Sequence, residues 1–412
     1  MGYGKLAKGI SEEEARRKLE RVMPSQDRKK AFQGTSPSIF IGSHSYPKVN
    51  TGVLSPQQHL GSSELMDSPK DWYKENYSIE KVASLRTSLV NSKERQKVSK
   101  PGRFTQNTRE VAMARKPVNI EVELDKRPSS SISGGRVKPV SASGSVERFE
   151  LTENPSVERK IEDMFYDTDA KAETAIEELR QKGVDKYQIQ QSFTAGMLGE
   201  EENRELVPTR WGITATDDII SSKIREQVKD FQELGTVKYY RNSYAGNYFH
   251  IFLVPGKWEY ELLEMKRPGS VWNASTSTRS DAHGSVSSGN LPNAAENTYI
   301  AQNHEPYSGR TEYAEETAGA FYAARLGVLE HLKKERRQSK ALILRDVTPE
   351  YWAPLGVWVI RETVRNSFDN GKELDSFKEV KEEIGTRFKF LYHRIREKSK
   401  MIGGRQASLS DF

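Results

Sequence analysis

At 412 residues, 35% of them hydrophobic and 30% charged, the chain is long enough for two or three ordinary domains or one large α/β body. It has no cysteine, which excludes disulfides, thiol catalysis and cysteine-ligated zinc or iron–sulfur sites. Sixty-four Lys and Arg against 58 Asp and Glu leave a net charge of +6, compatible with nucleic acid but equally with a mixed, solvated surface.

The first residues, Met1-Gly2-Tyr3-Gly4-Lys5, lack an apolar core of signal-peptide type and run into the charged Glu12-Glu13-Glu14. No stretch approaches the roughly eighteen apolar residues of a membrane span, so a cytoplasmic protein with no membrane partner is expected. Residues 1–33 form an N-terminal helix and lead-in, with Ser11 and Glu14 in capping-box register for a helix over 11–23. An N-terminal domain over 34–126 follows. It holds short strands around 38–41 and 46–54, a helix near 78–91, and a cleanly alternating strand at 118–124. Residues 127–155, containing Ser129-Ser130-Ser131-Ile132-Ser133-Gly134-Gly135, read as a linker.

The main domain is expected over 156–398. It begins with helices near 156–165, 170–183 and 186–194. Thr216 can cap a helix whose Ile220, Ile224, Val228 and Phe231 share one face. Strands at 236–241, 248–254 and 258–265 come next, then a Ser/Asn/Gly/Thr-rich loop over 270–297. A helix near 314–338, a strand at 341–347 and helices near 356–368 and 374–397 complete it. Antiparallel-looking strands with several long helices predict an α+β fold with a mixed, largely antiparallel sheet, ending in a flexible C-terminal tail at 399–412.

That tail closes Gln406-Ala407-Ser408-Leu409-Ser410-Asp411-Phe412 and resembles the PCNA-interacting peptide. In one turn of 3-10 helix, residues three apart eclipse, so Leu409 and Phe412 would enter one apolar pocket. Gln406, just before the turn, can take fixed hydrogen bonds. Burying the two apolar side chains offers about 3–6 kcal/mol before the ordering cost. The fuller motif has a second aromatic, which this chain lacks, so affinity for the clamp should be modest.

The block Leu206-Val207-Pro208-Thr209-Arg210-Trp211-Gly212-Ile213-Thr214-Ala215-Thr216-Asp217-Asp218 resembles the archaeal Nre family of DNA repair proteins. Tyr46-Pro47-Lys48-Val49-Asn50, residues 254–261 and residues 349–358 agree with it. The resemblance implies a role in surviving DNA damage and a clamp-binding C-terminal peptide, with DNA as a further partner; it implies no known reaction. Many members carry a four-cysteine zinc site, which this chain cannot form, so no zinc is expected.

Several residues could carry chemistry. Asp217 and Asp218, expected in a first helical turn, either complement the helix dipole or form a carboxylate pair for Mg²⁺ or Mn²⁺. Arg210 could hold phosphate and Trp211 could stack on a base, or both could be structural. Lys48 and Asn50 suit either phosphate contact or a turn. His250, Lys257 and Glu261 are expected to approach the same pocket, Lys257 toward phosphate and the other two toward catalysis. No P-loop or GxGxxG is present. Lys333, Lys334, Arg336, Arg337 and Lys340 suit a helix C-terminus or a DNA backbone equally. Two functions follow: an enzyme, metal-dependent nuclease or nucleotide-processing, brought to DNA by the clamp, or a non-catalytic adaptor for DNA or protein.

Overall fold

A computed structural model describes residues 12–23, 27–99, 102–130, 139–273 and 297–403. The chain divides into two compact units, one of residues 18–223 and one of residues 224–412 with 1–17. The fold is α+β, with mixed and mostly antiparallel sheets. Helix α1 (Glu12–Val22) begins the described chain. Residues 406–412, expected from the sequence to bind the clamp, lie outside the described residues.

The unit of residues 18–223 is built on β1 (Ala31–Ser36), β2 (Ser38–Ile41), β3 (Lys48–Ser55), β4 (Val90–Lys97), β5 (Val118–Leu124) and β6 (Ala142–Leu151). Their order across the sheet is β1-β5-β6-β4-β3-β2. Every pairing is antiparallel except the parallel one between β4 and β6. The alternation of β5 does what its period demands: Val118, Ile120, Val122 and Leu124 are buried while Asn119, Glu121 and Glu123 face outward. Helices α2 (Pro69–Lys74) and α3 (Ile79–Thr87) lie between β3 and β4. Trp72 of α2 is fully buried and donates its indole N–H to the Leu65 carbonyl at 2.6 Å. Ser78 caps α3 by accepting from the Lys81 N–H. Helix α4 (Arg103–Met113) separates β4 from β5. Then come α5 (Arg159–Tyr166), α6 (Ala172–Gln181), α7 (Lys186–Thr194) and the long α8 (Thr209–Lys229), which runs out of this unit. Two corrections to the sequence expectations belong here. Residues 142–151, expected in a linker, are a ten-residue strand that pairs with both β4 and β5. The helix expected to start at Thr216 starts at Thr209.

The other unit carries β7 (Gln232–Glu233), β8 (Val237–Tyr244), β9 (Asn247–Val254), β10 (Glu259–Lys266), β11 (Tyr299–Glu305), α9 (Gly319–Glu335), β12 (Arg337–Gln338), β13 (Lys340–Val347), α10 (Trp358–Arg365), β14 (Lys372–Leu374), α11 (Phe377–Arg387), α12 (Tyr392–Lys398) and α13 (Lys400–Gly403). Its main sheet runs β11-β10-β13-β9-β8-β14, with only β10 and β13 parallel. β8 and β9 join through Ala245 and Gly246, both at positive φ, the signature of a tight hairpin that matches strand twist. Val237, Phe252, Leu263, Leu342 and Leu344 on one side of the sheet pack with Val380, Ile384, Phe388 and Ile395 of α11 and α12. Charges are also buried here: Arg325 reaches Glu305, and Arg345 pairs with Glu264 and donates to Asn247 Oδ1. Buried ion pairs of this kind fix partners more than they add stability. Among the described residues, no helix is long and apolar enough to cross a membrane.

Candidate nucleic-acid interface

The site begins in the turn between β2 and β3. The Lys48 N–H donates to the Ser45 carbonyl at 3.0 Å, and the Gly42 N–H to the Asn50 carbonyl at 2.9 Å. These bonds tie the turn to the strand and leave Tyr46 standing from it, 49% exposed. The start of α8 arrives beside it. Thr209 Oγ1 accepts from the Ile41 N–H at 2.9 Å, and the Val207 N–H donates to the Thr194 carbonyl at 3.0 Å. Gly212 presses on Thr194, where a Cβ would come within 2.5 Å of the hydroxyl. Close approach there sets the helix down so that Trp211, 43% exposed, meets Tyr46 with ring centroids 5.1 Å apart at 56°. Two large aromatics standing together in solvent are costly unless something stacks on them.

Each of the two aromatics has a cation close to it in the chain. Lys48 is exposed and adjoins Tyr46 across Pro47, and Asn50 is half-buried. Arg210 is exposed in the first turn of α8, a turn with no acidic residue. A helix start disfavours a cation, and an anion there would offset both the dipole and the guanidinium. Lys48, Asn50, Arg210 and Trp211 therefore belong to one unit with Tyr46. Tyr46 carries no local signal of this role, because its tilted contact with Trp211 joins residues 165 apart in the chain.

Asp217 and Asp218 are arranged differently from expectation. They both lie in the third turn of α8. Asp217 is fully buried, with Lys186 Nζ 2.8 Å from its carboxylate, and Lys186 also donates to Gln190 at 3.1 Å. Asp218 is half-buried and accepts from the Ser222 hydroxyl at 3.3 Å. Consecutive helical residues diverge by about 100°, so the two carboxylates do not converge on one ion. Among the described residues no group of three or more His, Asp or Glu could hold a metal. Thr216, expected as a cap, is buried mid-helix and bonds back to the Gly212 carbonyl at 2.7 Å.

His250, Lys257 and Glu261 belong to the other unit, each with its own surroundings. His250 is buried, with Nδ1 2.7 Å from the Tyr239 hydroxyl and its ring edge-on to Phe388. Burial first, then Arg387 and Arg241, lower its pKa to about 3, so it is a neutral core histidine at ordinary pH. Glu261 is fully buried and accepts from Ser399 Oγ at 2.6 Å, Gln302 Nε2 at 2.5 Å and the N–H groups of Lys400 and Met401 at 2.7 and 3.1 Å. It caps the last helix. Lys257 is exposed, 5.7 Å from the Tyr307 ring centroid, and Lys229 lies 4.9 Å from the same ring. In the basic cluster, Lys333 and Lys334 occupy the last turn of α9, Arg336 takes a left-handed C-cap, and Lys340 pairs with Glu259 at 3.3 Å.

Comparison with known proteins agrees with the sequence blocks. The family description "Archaeal Nre, N-terminal" matches residues 13–273, and "Archaeal Nre, C-terminal" matches residues 305–412. The chain is 39% identical to DNA repair protein NreA of Haloferax volcanii over 92% of its own length and 88% of that protein. It is 32% identical to DNA repair protein NreA of Archaeoglobus fulgidus over 91% and 88%, and 30% identical to DNA repair protein NreB of the same organism over 91% and 90%. No solved structure matches. The chain belongs to the archaeal Nre family of DNA repair proteins.

Proposed function

We propose that this repair protein is a non-catalytic DNA-binding adaptor, held at the sliding clamp PCNA by residues 406–412, with its DNA contact on the unit of residues 18–223. The observation that carries the DNA contact is the exposed Tyr46–Trp211 pair beside Lys48 and Arg210. Stacking groups flanked by cations with no ion-pair partner among the described residues suit bases and phosphates together. The adaptor is favoured over a metal-dependent nuclease because Asp217 and Glu261, the two most buried catalytic candidates, are each committed to packing partners.

The two contacts are tested separately. Changing Leu409 and Phe412 to Ala, or deleting residues 406–412, should abolish co-elution with PCNA and leave the melting temperature unchanged. Equal clamp binding by the truncated chain would refute the tail's role. Changing Trp211 to Ala should weaken DNA binding at low salt by about tenfold, the worth of one stacking contact; no DNA binding by the intact chain would leave an adaptor acting through proteins alone.

A further inference from the structure

The strand pairings of residues 18–223 close on themselves. β1 pairs with β5, β5 with β6, β6 with β4, β4 with β3 and β3 with β2. Only Pro37 separates β1 from β2, so residues 31–41 are one bent strand that meets β5 at one end and β3 at the other. Counted that way, the ring has five strands in the order first, second, third, fifth, fourth. The third and fifth (β4 and β6) are parallel, every other pair is antiparallel, and a helix, α4, lies between the third and fourth. Phe104, Thr105, Thr108, Val111 and Ala112 of α4 are buried, against a barrel whose inner residues include Val49, Val53 and Val90. This is the connectivity of the oligonucleotide- and oligosaccharide-binding barrel, which takes its ligand on the outer face of the second and third strands.

Connectivity alone assigns no function; the side chains on that outer face do. The second and third strands are β3 and β4. Lys48 lies directly opposite Lys97, Asn50 opposite Arg95, and Gly52 opposite Lys93. The buried residues Val49, Thr51 and Val53 alternate with them, so Lys48, Lys93, Arg95 and Lys97 share the outer side. Glu94, the acid of β4, stands opposite Thr51 and alternates away from them. Like charges directly opposite destabilise a sheet, yet none of the four cations makes an ion pair among the described residues; Lys93 donates only to the Ser143 hydroxyl at 3.0 Å. Gly52 keeps the middle of the face low, since a Cβ there would collide with the Asn91 side chain. Phe40, 42% exposed, is the β2 partner of Gly52. Tyr46, in the turn between the first and second strands, stands at the Lys48 end with Trp211 of α8 against it.

We infer that this face is a binding track for single-stranded DNA: Tyr46, Trp211 and Phe40 stack on unpaired bases while Lys48, Lys93, Arg95 and Lys97 follow the phosphates. The inference rests on the DNA contact proposed above and adds its strand state and path. Aromatic rings in solvent reach base faces only when the bases are unstacked, whereas duplex sequence and shape are read by a helix or ribbon entering a groove. A row of cations along one strand pair supplies salt-dependent attraction without choosing a sequence.

The test uses the full chain with a fluorescent oligo-dT of about 16 nucleotides, the upper site size for one such barrel, a hairpin duplex, and an oligo-rU of equal length. The expected result is tighter binding of oligo-dT than of duplex, with quenching of tryptophan emission. Arg95→Glu and Lys97→Ala should each weaken oligo-dT binding about tenfold and flatten the salt slope by about 0.7 per lost phosphate contact. Tyr46→Ala should weaken it similarly without changing the slope. All these side chains are exposed or lie at the barrel surface, and unchanged melting temperatures confirm folded variants. Equal affinity for duplex and oligo-dT, with both reduced in the Trp211→Ala variant, overturns the single-strand inference while leaving the DNA contact standing. Oligo-dT binding that is indifferent to the Arg95 and Lys97 variants overturns the path. Preference for oligo-rU makes the track one for RNA and overturns the assignment to DNA. No binding of any of the three nucleic acids removes the DNA contact itself.

Discussion

His250 was expected at a catalytic pocket and is instead packed between Tyr239 and Phe388 as a neutral imidazole. Its folded pKa, about 3 against an ordinary 6.5, has a thermodynamic consequence. Between those values the unfolded chain binds a proton that the folded chain refuses, so stability falls as pH drops below 6.5, by about 1.4 kcal/mol per unit for one such group. His331, stacked on Phe368 at 4.0 Å and lowered to about 4 chiefly by burial, contributes in the same window. Glu259, lowered to about 2 by its bond to His304 and by Lys340, joins only below its ordinary value of 4.5. The His250→Phe variant should therefore show about half the wild-type loss of stability between pH 6.5 and 4.5, measured as the urea midpoint at each pH. An undiminished slope would mean that His250 titrates in the fold as it does in water. Glu261 makes a separate prediction. Four donors converge on its buried carboxylate, and charge-assisted bonds contribute about 1.5–3 kcal/mol each when a partner is left buried without them. Glu261→Ala should lower stability by about 3 kcal/mol, and a change under about 0.5 kcal/mol would deny it the capping role.

The elements differ in how far their sequences disclose them. β5 was legible to the residue because its apolar positions alternate without interruption over 118–124. β9 and β13 were legible because residues 251–254 and 341–344 are continuous apolar runs in a buried sheet, and β10 through its apolar Tyr260, Leu262, Leu263 and Met265. β4, Val-Asn-Ser-Lys-Glu-Arg-Gln-Lys, was not, since its outer face carries cations and its inner face includes Ser92 and Gln96. The same charges that hid the strand make it the basic side of the proposed track, so Arg95 and Lys97 were missed as site residues for one physical reason. The single helix expected near 374–397 is two, α11 and α12, because Phe388 and Leu391 fold into the core between them. α8 was misread at its start: Thr216-Asp217-Asp218 has the composition of a cap, but packing buries Thr216 and gives Asp217 the Lys186 ammonium as partner. Removing one member of a buried pair leaves the other charge uncompensated, so Lys186→Met should destabilise the protein by about 3–5 kcal/mol, read from denaturant unfolding. A loss of less than about 1 kcal/mol would mean that Asp217 is solvated or otherwise balanced.

At the scale of the whole chain, the proposed clamp contact and the proposed DNA contact would be properties of one molecule, and that changes what each would be worth. In that proposal a tail burying two apolar side chains would bind modestly alone, and a barrel face with four cations would bind DNA in a salt-dependent way. When the clamp encircles the same DNA, whichever contact forms first makes the second intramolecular, at an effective concentration that reaches the millimolar range when the linker spans the sites. Avidity of this kind exceeds either affinity by about 10²–10⁴ without any new contact. The proposal therefore predicts a specific asymmetry. On naked single-stranded DNA the intact protein and the protein lacking residues 406–412 should bind alike. On primed DNA carrying loaded PCNA beside a single-stranded gap, the intact protein should bind at least about 10²-fold more tightly than the truncated one, and Arg95→Glu should lose most of that advantage. Fluorescence anisotropy with and without the loaded clamp separates the cases. A clamp-dependent gain that survives the Arg95 variant would mean that the tail alone retains the protein and that the barrel face does not engage DNA there. Equal binding by intact and truncated chains on clamp-loaded DNA would uncouple the two contacts and end the tethered adaptor as the account of this protein.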